Sequence, residues 1–268
     1  MMRRSPDIKM ADMHCHIVPY VDDGASDLDE AKRIIIEEYE QGVRLIVMTV
    51  HFRYGSFDTP ASKVKKHFET LLKWLDTTDM TDLDIYVTRE YYCDERLALL
   101  LDGYAKGRDE VIYEDISYVP EEEILPFGGH RCILLEFSAG RKQKRAFEVF
   151  TALALRAGLT PIIAHAERYP MVQEDHEHEL LRYLRSSGAY IQVNGDALLG
   201  KDMKRACETA RSLVKADIAD IVSSDSHGIQ QRTPNLKKSR SFLKSKFGNE
   251  TAGLLLHDNA YYLVYGQE

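Results

Sequence analysis

The segment DMHCHIVPYVDDG, Asp12 to Gly24, sets two histidines two residues apart and follows them with two adjacent aspartates. Imidazole and carboxylate side chains at this density are the donor set of a divalent-metal site. The same side chains recur at intervals through the chain, each closing an apolar run. His51 ends VRLIVMTVH, Glu90 ends DIYVTRE, Glu136 lies in RCILLEF, His165 ends TPIIAH, and Asp225 and His227 follow DIADIVSS. Any one of these histidines taken alone is an ordinary strand-end residue. Brought together, the carboxylates of Asp23, Glu90, Glu136 and Asp225 would repel one another and gain protons unless cations held them. His14, His16, His51, His165 and His227 would supply neutral imidazoles beside them. One ion takes about four to six ligands, so nine donors imply two or three divalent ions, with a carboxylate such as Glu136 bridging. A site of nitrogen and oxygen donors without cysteine leans toward manganese, iron or zinc.

The elements that must bring these residues together are legible as an alternation. Seven Ile/Val/Leu-rich runs read as buried parallel strands, namely DIKMADMH, VRLIVMTVH, DIYVTRE, RCILLEF, TPIIAH, AYIQVNG and DIADIVSSD. Between them lie stretches with helical spacing, such as DLDEAKRIIIEEYEQG and RKQKRAFEVFTALALRAG, that close on glycine. Seven β/α units predict a single α/β domain over residues 1–268, a distorted (β/α)7 barrel related to the eight-stranded form. In such barrels the chemistry gathers at the C-terminal ends of the strands, where eight of the nine residues fall, Asp23 following in the loop after the first strand. Residues two apart on a strand share a face, so His14 and His16 are expected to point inward while Cys15 turns away. The polar stretch between Asp102 and His130 is expected as an excursion over the barrel mouth. NLKKSRSFLKSKFG is expected as a surface helix, and AYYLVYG near the C-terminus as a strand packed on the barrel.

Composition narrows the function. With 268 residues, 44% hydrophobic and 29% charged, the chain can bury a large core, and no apolar run is long enough to span a membrane. A net charge of -8 argues against a nucleic-acid partner, since phosphate-backbone binding needs clustered Lys and Arg. The first ten residues have no apolar stretch typical of a signal peptide. The four cysteines are scattered without a CxxC pair, which suits a reducing, cytoplasmic setting. Cysteine-dependent phosphatase chemistry, which needs an arginine six places after the cysteine, is excluded. Those positions hold Val21, Leu99, Ser138 and Leu213.

At these residues the sequence resembles the PHP superfamily, the polymerase and histidinol phosphatase domains. More narrowly it is similar to the bacterial manganese-dependent tyrosine-protein phosphatases that oppose the kinases of capsular and exopolysaccharide synthesis. DMHCHIVPYVDDG, TVHF, the glutamate of TREYY, ILLEFS, PIIAHAERYP, YIQVN and SSDSHG carry the likeness over nearly the whole chain. It implies a distorted (β/α)7 barrel with a trinuclear site held by His14, His16, Asp23, His51, Glu90, Glu136, His165, Asp225 and His227. Arg168 and Arg232 match the family's phosphate-binding positions. The substrate implied is a phosphotyrosine protein, a bacterial tyrosine kinase tail, with possible homo-oligomerisation. Water activated by the metals would attack phosphorus in line, with no covalent enzyme intermediate. Alternatives are a small-molecule phosphoesterase such as a histidinol-phosphate phosphatase, and a metal-binding interaction module. Two departures stand out. Thr88 and Arg89 precede the third-strand glutamate where the family has a small residue, and the 102–130 segment is longer than its counterpart.

Overall fold

The structure is a computed structural model that describes residues 9–140 and 143–266. The start of the first expected strand and of RKQKRAFEV, and the N-terminal stretch without a signal pattern, fall partly or wholly outside these residues. Seven parallel strands form one sheet: β1 (Met10–Cys15), β2 (Val43–Phe52), β3 (Asp84–Tyr92), β6 (Cys132–Glu136), β7 (Thr160–Ile163), β8 (Tyr190–Asn194) and β9 (Ile221–Ser223). Between β3 and β6 the chain adds a separate antiparallel hairpin, β4 (Val111–Tyr113) and β5 (Ile116–Tyr118). The sheet order follows the chain, and β1 meets the end of β9 through a parallel bridge between Cys15 and Ser226. His16 N donates to Ser226 O at 2.8 Å and Asp225 N to His14 O at 2.8 Å. The barrel is thereby nearly closed, and the seam is stitched at the end where the histidines lie.

Alternation along the strands divides the core in two. Ala11, Met13, Leu45, Val47, Leu134 and Ile162 fill the barrel, while Ile46, Met48, Val50, Ile133 and Ile163 pack outward against the helices. Helix Leu28–Gln41 illustrates how the outer layer is specified. Asp27 caps it by accepting from Glu30 N at 2.8 Å, Ala31, Ile34 and Ile35 form its buried face, and Gly42 ends it in the left-handed region at φ 98°. The basic stretch expected as a helix is one, Leu236–Phe247.

The C-terminal expectation is corrected. Asn259–Tyr265 is a helix, and its Ala260, Leu263 and Val264 plug the inner core. Their spacing of three and four residues suits a helical stripe, which the aromatic run around them obscures. Gly129 N and His130 N donate to Val264 O and Leu263 O at 2.7 and 3.1 Å. Gly128, at φ 71°, makes this approach possible, because a Cβ there would lie 2.7 Å from Val264 Cα.

The 102–130 segment is tied to the barrel by side chains of β3. Thr88 Oγ1 donates to Leu125 O at 2.6 Å, Arg89 pairs with Glu123 at 2.7 Å, and the Tyr91 hydroxyl donates to Glu123 O and accepts from Leu125 N. β3 thus carries the side chains that clamp the end of this segment at Glu123 and Leu125. The β2–β3 ladder runs without a break from Leu45 opposite Asp84 to Phe52 opposite Tyr91. Thr88 and Arg89 leave the path to Glu90 regular.

Candidate active site

His14 and His16 share a face because β1 is bulged. Asp12 lies opposite Ile46 and Cys15 opposite Met48, so three steps of β1 match two of β2. Ala11 and Met13 face the barrel interior, and strict alternation would turn His14 outward. The extra residue resets the phase, Cys15 joins Met10 in the outer layer, and the two imidazoles converge with their Nε2 atoms 3.2 Å apart. His51 and Glu90 need no such device, since they continue the inward alternation of β2 and β3 and lie opposite each other in the ladder.

All nine residues named from the sequence open on one space. Glu90 is at its centre: Oε1 lies 2.8 Å from His165 Nε2 and 3.4 Å from His14 Nε2, and Oε2 lies 2.9 Å from His51 Nδ1 and 3.4 Å from His16 Nε2. Asp225 Oδ1 is 3.5 Å from His14 Nε2, 3.7 Å from His16 Nε2 and 3.7 Å from His227 Nδ1. Asp23 Oδ1 approaches His51 Nε2 at 3.4 Å and His227 Nε2 at 3.6 Å. Among the described residues, three overlapping groups have donor atoms within 4.8 Å of one another, namely His16, Asp23, His51 and His227; His14, His16 and Glu90; and His51, Glu90 and Glu136. The carboxylate common to two groups is Glu90. Glu136, expected to bridge, belongs to one.

Around this set lies a shell of orienting groups that the sequence reading left without roles. Asp22 accepts from His16 Nδ1 at 2.9 Å, His51 N at 3.0 Å and Gly24 N at 3.0 Å. A Cβ on Gly24 would lie 2.2 Å from His16 O, so the DDG turn needs glycine to fold back over the histidine. Gln192 Oε1 meets His14 Nδ1 at 3.2 Å and His165 N at 2.6 Å, and its amide donates to Asn194 Oδ1 at 2.8 Å. Asn194 in turn donates to Asp225 Oδ2 at 2.7 Å, and its backbone N to Glu167 Oε1 at 3.1 Å. The available signals were the inward pair Gln192 and Asn194 in YIQVN and the first aspartate of DDG.

Both arginines reach the site. Arg168 donates from Nε to Asp202 at 2.9 Å and from Nη1 to Asp225 Oδ2 at 3.0 Å. Arg232 donates from Nη2 to Asp225 Oδ1 at 2.7 Å and from Nη1 to His227 Nε2 at 2.8 Å. His165, Asp225 and Arg232 have φ of 31°, 52° and 48°, a region that non-glycine residues enter at a cost of about 1–3 kcal/mol each. Such strain persists where the surroundings over-determine it. Gln192 and Asn194 do so here for His165 and Asp225.

The donor set fits divalent cations. With the Nδ1 atoms of His14 and His16 engaged by Gln192 and Asp22, both Nε2 atoms turn toward each other and toward Glu90. Two imidazole lone pairs 3.2 Å apart repel unless a proton or a cation lies between them. Among protein charges alone, protons fill that role: burial opposes the charge on His14, but Glu90 and Asp225 outweigh it and push the group up to about 9. His51 is likewise pushed up to about 9 against its burial by Glu90, Glu136 and Asp22. His227 is driven the other way, to about 2, by burial and by His16 and Arg232. Burial and Glu90 raise Glu136, whereas the histidines and arginines hold Asp225 well below the ordinary carboxylate range despite its burial. Burial raises the thiols of Cys15 and Cys93 well above the usual value and that of Cys132 to about 12, which makes these three poor nucleophiles.

Known proteins share this architecture. The model of the capsular polysaccharide synthesis family CpsB/CapC matches residues 10–265. Tyrosine-protein phosphatase CpsB of Streptococcus pneumoniae is 30% identical over 265 residues, covering 96% of this chain and 99% of the relative. Tyrosine-protein phosphatase YwqE of Bacillus subtilis is 27% identical, covering 96% and 92%. A solved structure from work on YwqE and CpsB, described as metal-dependent tyrosine phosphatases, superposes with a TM-score of 0.79 at 27% identity over 97% of this chain and 96% of that one. The phosphotriesterase homology protein of Escherichia coli shares the fold, with a TM-score of 0.56 at 13% identity over 97% and 98%. The chain belongs to the CpsB/CapC family of capsular polysaccharide synthesis.

Proposed function

We propose that this chain is a metal-dependent tyrosine-protein phosphatase, hydrolysing phosphotyrosine on a protein substrate such as the tail of a polysaccharide-synthesis tyrosine kinase. The observation that carries this reading is the convergence of His14 and His16 Nε2, 3.2 Å apart, on the carboxylate of Glu90. His14, His16, Asp23, His51, Glu90, Glu136, His165, Asp225 and His227 would hold two or three divalent ions, manganese first and iron or zinc as alternatives. Bound there, such ions supply Lewis-acid charge to the phosphoryl oxygens and to the attacking water.

The chain's own residues do the rest. Arg168, fixed by Asp202 and Asp225, keeps Nη2 free of these contacts to meet a phosphoryl oxygen, and Arg232 adds a second cation on the other oxygen of Asp225. Gln192 and Asp22 fix the ring orientations of His14 and His16, so little reorganisation is needed when a dianion arrives. A tyrosine leaving group has a pKa of about 10, which lets it depart without a dedicated general acid. The named activity of the relatives favours phosphotyrosine over a small-molecule phosphoester.

The test is hydrolysis of phosphotyrosine peptides by manganese-reconstituted protein, with chelation and thiol alkylation as separate arms. Activity that disappears on chelation and survives iodoacetamide supports the reading. Activity that survives chelation, or is lost to alkylation, refutes it.

A further inference from the structure

The rim beside the ends of β2 and β3 carries a surface that hydrolysis itself does not use. Arg53, two residues past His51, stacks on Tyr92 at 4.2 Å. Tyr54 follows, 39% exposed, with its ring 5.0 Å from Tyr113 of the β4–β5 hairpin and nearly perpendicular to it. From there the hairpin continues outward with Ile112 and Ile116, 65% and 47% exposed, and then Val119. β-branched side chains this open on an isolated two-stranded hairpin contribute little to the fold.

Tyr118 of the hairpin lies 5.7 Å from the guanidinium of Arg96. Beyond the clamp from Thr88, Arg89 and Tyr91, the buried Arg96 pairs with Asp58 at 2.5 Å and lies 3.7 Å over the Phe52 ring. Arg89 also donates to Thr59 O at 2.9 Å, which ties the turn after β2 to the same network. Phe57 of that turn stacks on His51 at 4.9 Å. A run of side-chain contacts thus leads from Tyr113 and Tyr118 of the hairpin, through Tyr54, Arg96 and Phe52, to the turn after β2 and its Phe57 beside His51. The charge here is mainly negative: Glu110, Glu114, Asp115, Glu121 and Glu122 are exposed around the hairpin, against the exposed cation Arg53, stacked on Tyr92, while the neighbouring Lys106 and Arg108 are paired with Asp102.

We propose that hairpin β4–β5 and the Arg53–Tyr54 turn form a docking shelf for the polypeptide flanking the phosphotyrosine, favouring segments with apolar and Lys or Arg side chains. The proposal rests on the phosphotyrosine reading above. A peptide whose phosphate is held over Glu90 and Asp225 must leave the mouth past some part of the rim, and this part offers apolar contact together with unpaired negative charge. A second copy of the chain is the poorer occupant. Three aliphatic side chains make a small patch against the roughly 1,200 Å² or more that a stable pair buries, and a self-matching contact would oppose acidic rims.

The experiment uses manganese-loaded full-length protein and three substrates: p-nitrophenyl phosphate, a phosphotyrosine peptide with Leu and Lys flanks, and the same peptide with Ser and Glu flanks. The wild type should favour the Leu/Lys peptide by about tenfold in kcat/KM. The double variant Ile112→Ser, Ile116→Ser should lose most of that preference through KM while hydrolysing p-nitrophenyl phosphate at the wild-type rate. Glu121→Lys with Glu122→Lys should reverse the charge preference. Equal wild-type rates on the two peptides overturn the shelf alone, whereas hydrolysis of p-nitrophenyl phosphate with neither peptide cleaved overturns the phosphotyrosine reading beneath it. Parallel loss on p-nitrophenyl phosphate, or a dimer in light scattering that the isoleucine variant dissociates, also overturns the shelf.

Discussion

Asp22 offers a test of how the candidate site is built, because it touches no substrate in this account yet organises two of the imidazoles. Its carboxylate is 1% exposed and accepts three N–H donors, from His16 Nδ1, His51 N and Gly24 N, at 2.9, 3.0 and 3.0 Å. Burial alone would raise its pKa, but the hydrogen bonds and the attraction of His16 and His51 hold it below the ordinary carboxylate value. Asp22→Asn keeps the shape and replaces one acceptor oxygen by an NH2 group that faces a donor. One charge-assisted hydrogen bond is lost and a buried N–H is left unpaired, a cost of about 1.5–3 kcal/mol. If His16 is held less firmly by that amount, metal affinity falls by roughly 10–100-fold, since each tenfold step is about 1.4 kcal/mol. Titration of the apo-protein with manganese against a competing chelator measures this directly, and circular dichroism checks that the barrel persists. An affinity within about twofold of wild type would show that Asp22 braces the loop rather than His16.

Further outcomes follow from the same geometry. Arg168→Lys cannot span Asp202, Asp225 and a phosphate at once, so kcat/KM for phosphotyrosine peptides should fall about tenfold or more with metal content unchanged, whereas Arg232→Lys should cost less; equal rates in steady-state assays would assign Arg168 to the scaffold. Glu90→Gln should reduce bound metal more than Glu136→Gln, because Glu90 is shared by two donor groups and Glu136 belongs to one; elemental analysis of both variants decides. Glu38 is fully buried in the outer layer, where burial and then the neighbouring Asp12 raise its pKa well above the usual value. A raised carboxyl favours folding below its unfolded pKa and loses that contribution as pH rises through the folded value, so Glu38→Gln should raise Tm relative to wild type more at pH 8 than at pH 5; an equal shift at both, read by thermal unfolding, contradicts the assignment.

Legibility from sequence was uneven for physical reasons. Residues that continue a regular alternation, such as His51 on β2 and Glu90 on β3, could be placed from a period of two. His14 needed the β1 bulge, which leaves no mark in residue type. Asp202 reaches Arg168 from a distant loop and lies in no motif, and Gln192, although it lies in YIQVN, is a neutral amide that signals no metal chemistry by itself. The β4–β5 hairpin was missed because its turn residues, Glu114 and Asp115, both adopt positive φ without the Asn-Gly or Asp-Gly signal that usually announces such a turn. AYYLVYG read as a strand because aromatic and β-branched residues dominate it, while the burial of Ala260, Leu263 and Val264 makes it a helix.

The central claim is that nine side chains, eight at strand ends and Asp23 in the loop after β1, form one multinuclear site. Elemental analysis of manganese-reconstituted, gel-filtered protein tests it most directly. The overlap of the three donor groups through His16, His51 and Glu90 predicts two or three ions per chain. One ion or none, in protein shown to be folded, would contradict it.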